Sequence, residues 1–305
     1  MTSAPTDATA GIVCEPTLPL HRYKDLLRDD RRRIRLHDAL VGEIKGLQDI
    51  LGEEQFPVRN VHDLGVEDYL ARVERYETLA GPLLPILAAG GHWAVDEHAR
   101  LLGRCLGRLA DPPGERSGIT ALLNLRCYPA LLCVYSCGVG AILAGRYDTL
   151  KTILVSTRSR KENESVPLVR ALAHNDVIDG GLLRRRPELE RHRSPTSDHL
   201  FAVLKEPLSG LAIDEMEYQG AFDRFEYLFA LVHGDLCEKD GSTGHIWGPI
   251  GCFLWRRGVL EEVGHEIDGL GGDWPPLKAG FFGGSIERAK LVKEQIDKTV
   301  HRQGW

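Results

Sequence analysis

The longest uncharged run of the chain covers residues 127–145, and a polar break follows it at residues 146–148. A second apolar face then recurs at helical spacing, at Leu150, Ile153 and Leu154. This pattern predicts two helices folded back on each other over about residues 128–156. Pro129, Ser136 and several glycines lie inside the run, so it favours a buried helical hairpin over a membrane-spanning helix of minimum length.

The segment 19–56 is predicted as one long amphipathic helix, although charged residues 29–33 interrupt it. Its apolar positions recur at steps of three, four or seven: Tyr23, Leu27, Ile34, Val41, Ile44, Leu47 and Leu51. We expect this helix to dock on the chain's own domain. Because the stripe is narrow, self-association through residues 20–51 in coiled-coil fashion stays open.

Further amphipathic segments predict helices over residues 66–80, 96–109, 214–236 and 285–301. The alternation of strands and helices that builds a parallel sheet is missing from the pattern. The sequence therefore predicts a mainly α fold, an irregular multi-helical bundle built from helical hairpins. We expect at most a short β-hairpin near residues 245–256, where β-branched and aromatic residues alternate with Gly and Pro.

The polar stretches suggest how the chain is divided. Residues 1–18 are small and polar and are predicted to be a disordered tail, followed by the long helix 19–56 and a helical globular domain over residues 60–305. Residues 157–166 and 184–199 are charged, and we expect both to be exposed loops.

Composition and charge limit the classes of partner and the cellular compartment that we expect. The net charge is −6, so a nucleic-acid partner is not expected. The seven cysteines are odd in number and scattered in spacing, and residues 1–19 lack the apolar segment of a secretory signal. These features predict a cytoplasmic protein without disulfides, and we expect it to meet no membrane and to need no cofactor.

Two cysteine-containing pairs have a spacing that could hold a metal ion. Cys133 and Cys137 are four residues apart, as are His233 and Cys237, so each pair shares one helix face. Two such pairs could supply four zinc ligands. Because the first pair lies in the most apolar run, core cysteines are the expected explanation and no metal is predicted.

Three pairs of polar residues are candidates for catalysis. Arg32 with His37, and Arg193 with His199, have the spacing that resembles HEPN-type ribonucleases, all-helical proteins in which an Arg and a His polarise an RNA 2′-hydroxyl. That resemblance implies metal-independent RNA cleavage, and we keep it as the alternative function. His233 with Asp235 is a generic acid–base pair beside an aromatic helix. Phosphate-binding, zinc-protease and serine-hydrolase motifs do not occur.

Two resemblances bear on function. Residues 131–155 resemble a tetratricopeptide hairpin, with Gly138 at the family's helix-contact glycine and Gly145 at its turn, although Val134 stands where the family has tryptophan. Segments 77–93, 128–150, 224–236 and 246–257 resemble the helical C-terminal region of uncharacterised bacterial multidomain proteins. The second resemblance implies a protein-interaction or ligand-sensing module of a bacterial cytoplasmic system, often near antiviral-defence genes, whose effector would be a separate partner protein.

Overall fold

The structure is a computed structural model that describes residues 18–59, 64–114, 117–161, 164–239 and 246–304. The described residues form a mainly α-helical fold with a two-stranded antiparallel sheet, which confirms the predicted fold class. Residues 1–17, predicted to be a disordered tail, lie outside the described part.

The first half of the chain is helical between short turns. Its helices are α1 (Leu20–Leu27), α2 (Arg33–Ile50), α3 (Val66–Ala80), α4 (Leu84–Trp93), α5 (Asp96–Leu109), α6 (Thr120–Leu125), α7 (Tyr128–Leu143) and α8 (Tyr147–Val155). The hairpin of β1 (Thr157–Lys161) and β2 (Glu164–Pro167) follows. The helices predicted over residues 66–80 and 96–109 are confirmed at both ends.

The second half begins with three single-turn helices, and all the later helices except the one at Pro275–Lys278 are longer. They are α9 (Leu168–Ala171), α10 (His174–Val177), α11 (Gly180–Leu183), α12 (Pro195–Leu208), α13 (Glu215–Lys239), α14 (Gly258–Leu270), α15 (Pro275–Lys278) and α16 (Ile286–Gly304). Ser285 caps α16 as the sequence predicts, because its hydroxyl accepts a hydrogen bond from the backbone N–H of Arg288 at 3.2 Å.

Helix α7 is the centre of the core, and every residue from Tyr128 to Ile142 is buried. The predicted turn back into α8 is confirmed, with Gly145 in the left-handed region at φ 63°. Helix α7 packs most extensively against α4 and also against α13. Among the described residues, Thr120–Leu143 is long and apolar enough to cross a membrane by length and composition, a test that the core helix of a soluble protein also passes.

Glycines allow this close packing. A Cβ atom at Gly91 of α4 would lie 1.8 Å from the carbonyl oxygen of Cys137 on α7. A Cβ atom at Gly138 would lie 2.0 Å from the ring of Phe225, so this glycine admits α13. The resemblance to a tetratricopeptide hairpin predicts a close helix contact at Gly138. The structure has a close contact there, and the neighbouring helix is α13.

The prediction of a single helix over residues 19–56 is wrong, because a turn separates α1 from α2. The Asp29 carboxylate accepts a hydrogen bond from the backbone N–H of Arg31 at 3.1 Å, and a short 3₁₀ turn, Asp30–Arg32, follows. Local side-chain bonds of this kind compete with the helical backbone. The buried stripe of α2 packs on α5 within the same chain. Self-association through residues 20–51 stays a prediction.

The structure places the hairpin outside residues 245–256. Strands β1 and β2 pair over residues 157–167, a stretch predicted to be a loop, with Thr157 opposite Pro167. The described residues 246–256 have no strand and contain only the 3₁₀ turn Cys252–Leu254. Gly248 and Gly251 bring this backbone against α13, where a Cβ atom would lie 2.4 Å from Ala230 and 2.0 Å from Glu226. The side chains of His174, His233 and Glu226 bond to the backbone of this segment, as a partner strand would in a sheet.

Candidate functional site

The Arg32 and His37 side chains each lie beside a carboxylate of their own. Arg32 Nε lies 3.1 Å from the carboxylate of Asp29, and His37 Nδ1 lies 3.0 Å from that of Asp38. Both side chains are about half exposed, with Arg32 in the 3₁₀ turn before α2 and His37 on the first turns of α2. The arrangement is typical of a solvated helix end.

Arg193 and His199 point into different environments. Arg193 is exposed, whereas His199 is buried in α12, although the sequence predicted an exposed loop there. His199 Nε2 lies 2.6 Å from Glu77 Oε1, which also accepts a hydrogen bond from the Tyr128 hydroxyl at 2.7 Å. His199 therefore belongs to a hydrogen-bonded contact between α3, α7 and α12.

His233 and Asp235 also have separate partners. His233 Nδ1 lies 3.0 Å from the carbonyl oxygen of Trp247, and Asp235 forms an ion pair with Arg288 of α16. Burial lowers the pKa of His233, and its hydrogen bond to Trp247 opposes that shift. Both residues fasten α13 to neighbouring segments.

The four candidate metal ligands do not assemble. Cys133 and Cys137 are buried in α7, and burial raises the pKa of both thiols. Cys237 Sγ lies 3.5 Å from His233 Nδ1. Within the described ranges, no three His, Cys, Asp or Glu side chains are grouped so that they could hold a metal ion.

A buried hydrogen-bond network beside residues 246–256 is the most unusual polar feature of the core. We call it the buried network; it comprises Tyr135, His174, Ser197, Glu226 and Cys252, each at most 1% exposed. Glu226 Oε2 accepts hydrogen bonds from the Ser197 hydroxyl at 2.6 Å and from the backbone N–H of Cys252 at 2.9 Å. A glutamate buried among aromatic residues is costly unless it is paired or protonated.

The structure indicates that Glu226 is protonated at neutral pH. Burial raises the pKa of its carboxyl group to about 8. Burial lowers the pKa of His174 to about 4, so that ring is neutral. His174 Nε2 lies 3.3 Å from the Ile250 carbonyl, which can only accept, so the ring proton sits on Nε2.

These protonation states set the direction of the remaining bonds. The Tyr135 hydroxyl lies 2.9 Å from His174 Nδ1 and 3.2 Å from Glu226 Oε1, and its single hydrogen can serve only one of them. Because Nδ1 must accept, the tyrosine donates to His174 and the Glu226 proton points to Tyr135. A directed chain of hydrogen bonds thus runs from Glu226 to the backbone of Ile250.

Ile250 also lines a surface pocket of 310 Å³, which we call the α12 pocket. Its polar lining includes Asn175, Arg184, Arg193, Ser194 and Thr196, and its apolar lining includes Trp247, Ile250 and Leu254. Among the described residues that line it, none is Asp or Glu. The segment 250–252 therefore has a surface pocket on one side and the buried network on the other.

The sequence prediction missed the residues of this network. One signal was present: Glu226 follows Phe222 by four residues and precedes Phe229 by three, so a carboxylate lies on an aromatic helix face. The partners Ser197 and His174 come from segments without a recognisable motif. No family model matches the chain, and no curated protein or solved structure matches it either.

Proposed function

We propose that the chain is a ligand-sensing helical module that binds a small anion in the α12 pocket. The observation that carries the proposal is the position of segment 250–252 between this pocket and the buried network. In this proposal a separate partner protein in a bacterial cytoplasm reads the ligand-bound form. Such a role agrees with the resemblance of residues 224–236 and 246–257 to helical regions of bacterial multidomain proteins.

The charge and shape of the pocket support an anionic ligand. The described residues that line it include Arg184 and Arg193 and no carboxylate, and Trp247 is 37% exposed. The Arg184 guanidinium donates to the carbonyl groups of His192 and Arg193, which holds the chain that enters α12. A volume of 310 Å³ lies at the lower end of the range of about 300–1,000 Å³ for small-molecule sites.

The backbone of residues 250–252 gives the pocket a route to the core. His174 holds the carbonyl of Ile250, and Glu226 holds the N–H of Cys252. On the same segment, the Ser194 hydroxyl lies 3.5 Å from the carbonyl of Gly251. A ligand that moves this segment must change these bonds. A sensor needs contacts of this kind, which differ between the free and the ligand-bound forms.

Benzoate and inorganic phosphate are suitable probes, because one is a planar and the other a compact anion. At ten times its dissociation constant, a bound probe should stabilise the fold by about 1.4 kcal/mol, which a thermal melt detects. Arg193→Ala should weaken the binding. Arg191→Ala removes the same charge from an exposed position outside the pocket lining and should not.

Hydrogen exchange of the Cys252 amide then tests sensing separately from binding. We expect the bound probe to change the exchange rate of this amide, which donates to Glu226. Stabilisation by neither probe would contradict the proposal, and so would equal losses in Arg191→Ala and Arg193→Ala. Binding with unchanged exchange at residues 250–252 would leave a ligand site and refute the sensing route.

A further inference from the structure

A second pocket, of 450 Å³, lies between the first turns of α2 and α5. We call it the cationic cleft; its lining includes Arg33, His37, Glu97, His98, Arg100 and Arg104. None of the described residues lines both this cleft and the α12 pocket.

The cleft carries an excess of positive charge. Three arginines line it against one lining carboxylate among the described residues, that of Glu97. Glu97 lies 3.7 Å from Arg33, and both side chains are about two-thirds exposed, so this ion pair is weak. Arg100 and Arg104 are four residues apart on α5 and therefore project from the same helix face.

The backbone adds to this charge, because two helices present their N-terminal ends here. Arg33 of α2 meets Glu97 at the first turns, and Gln48 bonds to Arg108 at the far ends, so α2 and α5 run parallel. The helices have 18 and 14 residues. The N-terminal end of a helix carries partial positive charge and free N–H groups, which attract anions.

A buried side chain supplies an independent indication of a ligand. His98 lines the cleft and is only 7% exposed. Its Nδ1 atom is buried and has no hydrogen-bond partner in the described part of the chain. Leaving such an atom unpaired costs free energy. Because the atom itself is shielded from solvent, the His98 ring must turn towards the cleft for a bound oxygen to recover that cost.

We propose that the cationic cleft binds a small molecule that carries a pyrophosphate or longer phosphate chain. Several arginines around one site match the many oxygens of such a group, because each guanidinium can bind two of them. The cleft is wider than a single phosphate requires, and Ile34, 70% exposed at its rim, suits an attached organic group. This site goes beyond the function proposed above and does not depend on it.

Isothermal titration of the full chain with pyrophosphate, at low and at physiological salt, tests the proposal. Arg100→Ala and Arg104→Ala should each weaken binding about tenfold, the loss expected for one charge-assisted contact. Arg35→Ala is the matched control, because Arg35 is exposed on α2 but does not line the cleft. Circular dichroism of the three variants checks that each one folds.

We expect pyrophosphate to bind more tightly than inorganic phosphate, and the Arg35→Ala variant to bind like the unaltered chain. Absence of pyrophosphate binding at low salt would overturn the proposal. Equal weakening in all three variants would also overturn it, because it would indicate attraction to surface charge in general. Tighter binding of a short single-stranded RNA, weakened by the same two substitutions, would assign the cleft to nucleic acid instead.

Discussion

Glu226→Gln removes the titratable group of the buried network and keeps its shape. The glutamine amide can donate towards Tyr135 as the protonated carboxyl group does. Its oxygen can still accept from Ser197 and from the backbone of Cys252. Below pH 4.5, where the carboxyl group is protonated in both the folded and the unfolded chain, we therefore expect the free energy of unfolding to change by less than about 1 kcal/mol, despite the complete burial of the site.

The pH dependence of stability should change much more. The pKa of Glu226 is raised by burial from 4.5 to about 8, so the folded chain holds this proton more tightly than the unfolded chain. Its contribution to stability is therefore full below pH 4.5 and is lost as the pH rises through 8. His174, whose pKa burial lowers from 6.5 to about 4, acts in the opposite sense and only below pH 6.5. Burial raises the pKa of Asp223 to about 6, so this group changes the pH dependence of stability only below about that pH.

The window from pH 6.5 to 8 therefore isolates Glu226 within this group of residues. Over about 1.5 pH units, at about 1.4 kcal/mol per unit, the unaltered chain should lose about 2 kcal/mol of stability that Glu226→Gln retains. Urea unfolding at three pH values in this window measures the difference. Glu261→Gln, an exposed change on α14, is the control and should follow the unaltered chain.

Parallel pH profiles for the unaltered chain and Glu226→Gln would refute the reasoning. They would mean that the carboxyl group is ionised in the fold or that it titrates as it does in the unfolded chain. A loss of several kcal/mol at pH 7 would refute it differently, because Glu226 would then be needed as an anion.

Further substitutions test the packing and the ion pairs, each by urea unfolding. Gly138→Ala should cost about 1–3 kcal/mol, because its Cβ atom would overlap the ring of Phe225; a cost below about 0.5 kcal/mol would contradict this tight contact. Gly42→Ala in α2 meets no atom within 4 Å and should stabilise by about 0.5–1 kcal/mol, and a loss would contradict the open space. Glu266→Ala should cost about 2–4 kcal/mol, because it strands a mostly buried guanidinium and the indole N–H of Trp274, whereas no loss would contradict both bonds. The six described cysteines are buried and should be alkylated only on unfolding, so rapid reaction of the native chain at one of them would contradict its burial.

The helices were predictable where one face carries the whole apolar signal. Residues 66–80 and 96–109 show such a face, and the structure has α3 and α5 there. The interruption at Asp29 was visible as a charged patch. The sequence does not say whether such a patch is the solvated face of one continuous helix or a turn between two helices. The sequences of β1 and β2 lack the alternation of apolar and polar residues that predicts a strand. Their pairing depends on backbone hydrogen bonds, which the side-chain pattern does not encode.

The candidate sites were harder to predict because their residues are distant in sequence. The bonds of Glu226 reach back 91 residues to Tyr135 and forward 26 residues to Cys252. The cationic cleft depends on two helices running parallel, which the periodicity of neither helix contains. His199 shows a different difficulty: its spacing from an arginine makes it a catalytic candidate, but the sequence does not show that it is buried beside Glu77.

The complete burial of α7 has a consequence for synthesis of the chain on the ribosome. Helix α4 precedes α7, but α13, which covers its Gly138 face, begins about 70 residues after α7 ends. At about 5–20 residues per second, the apolar surface of α7 stays partly uncovered for about 4–14 s. During that interval the nascent chain presents the segment Thr120–Leu143, which has the length and apolarity of a membrane span. A chaperone that shields residues 128–143 until α13 emerges would therefore improve the yield of folded protein.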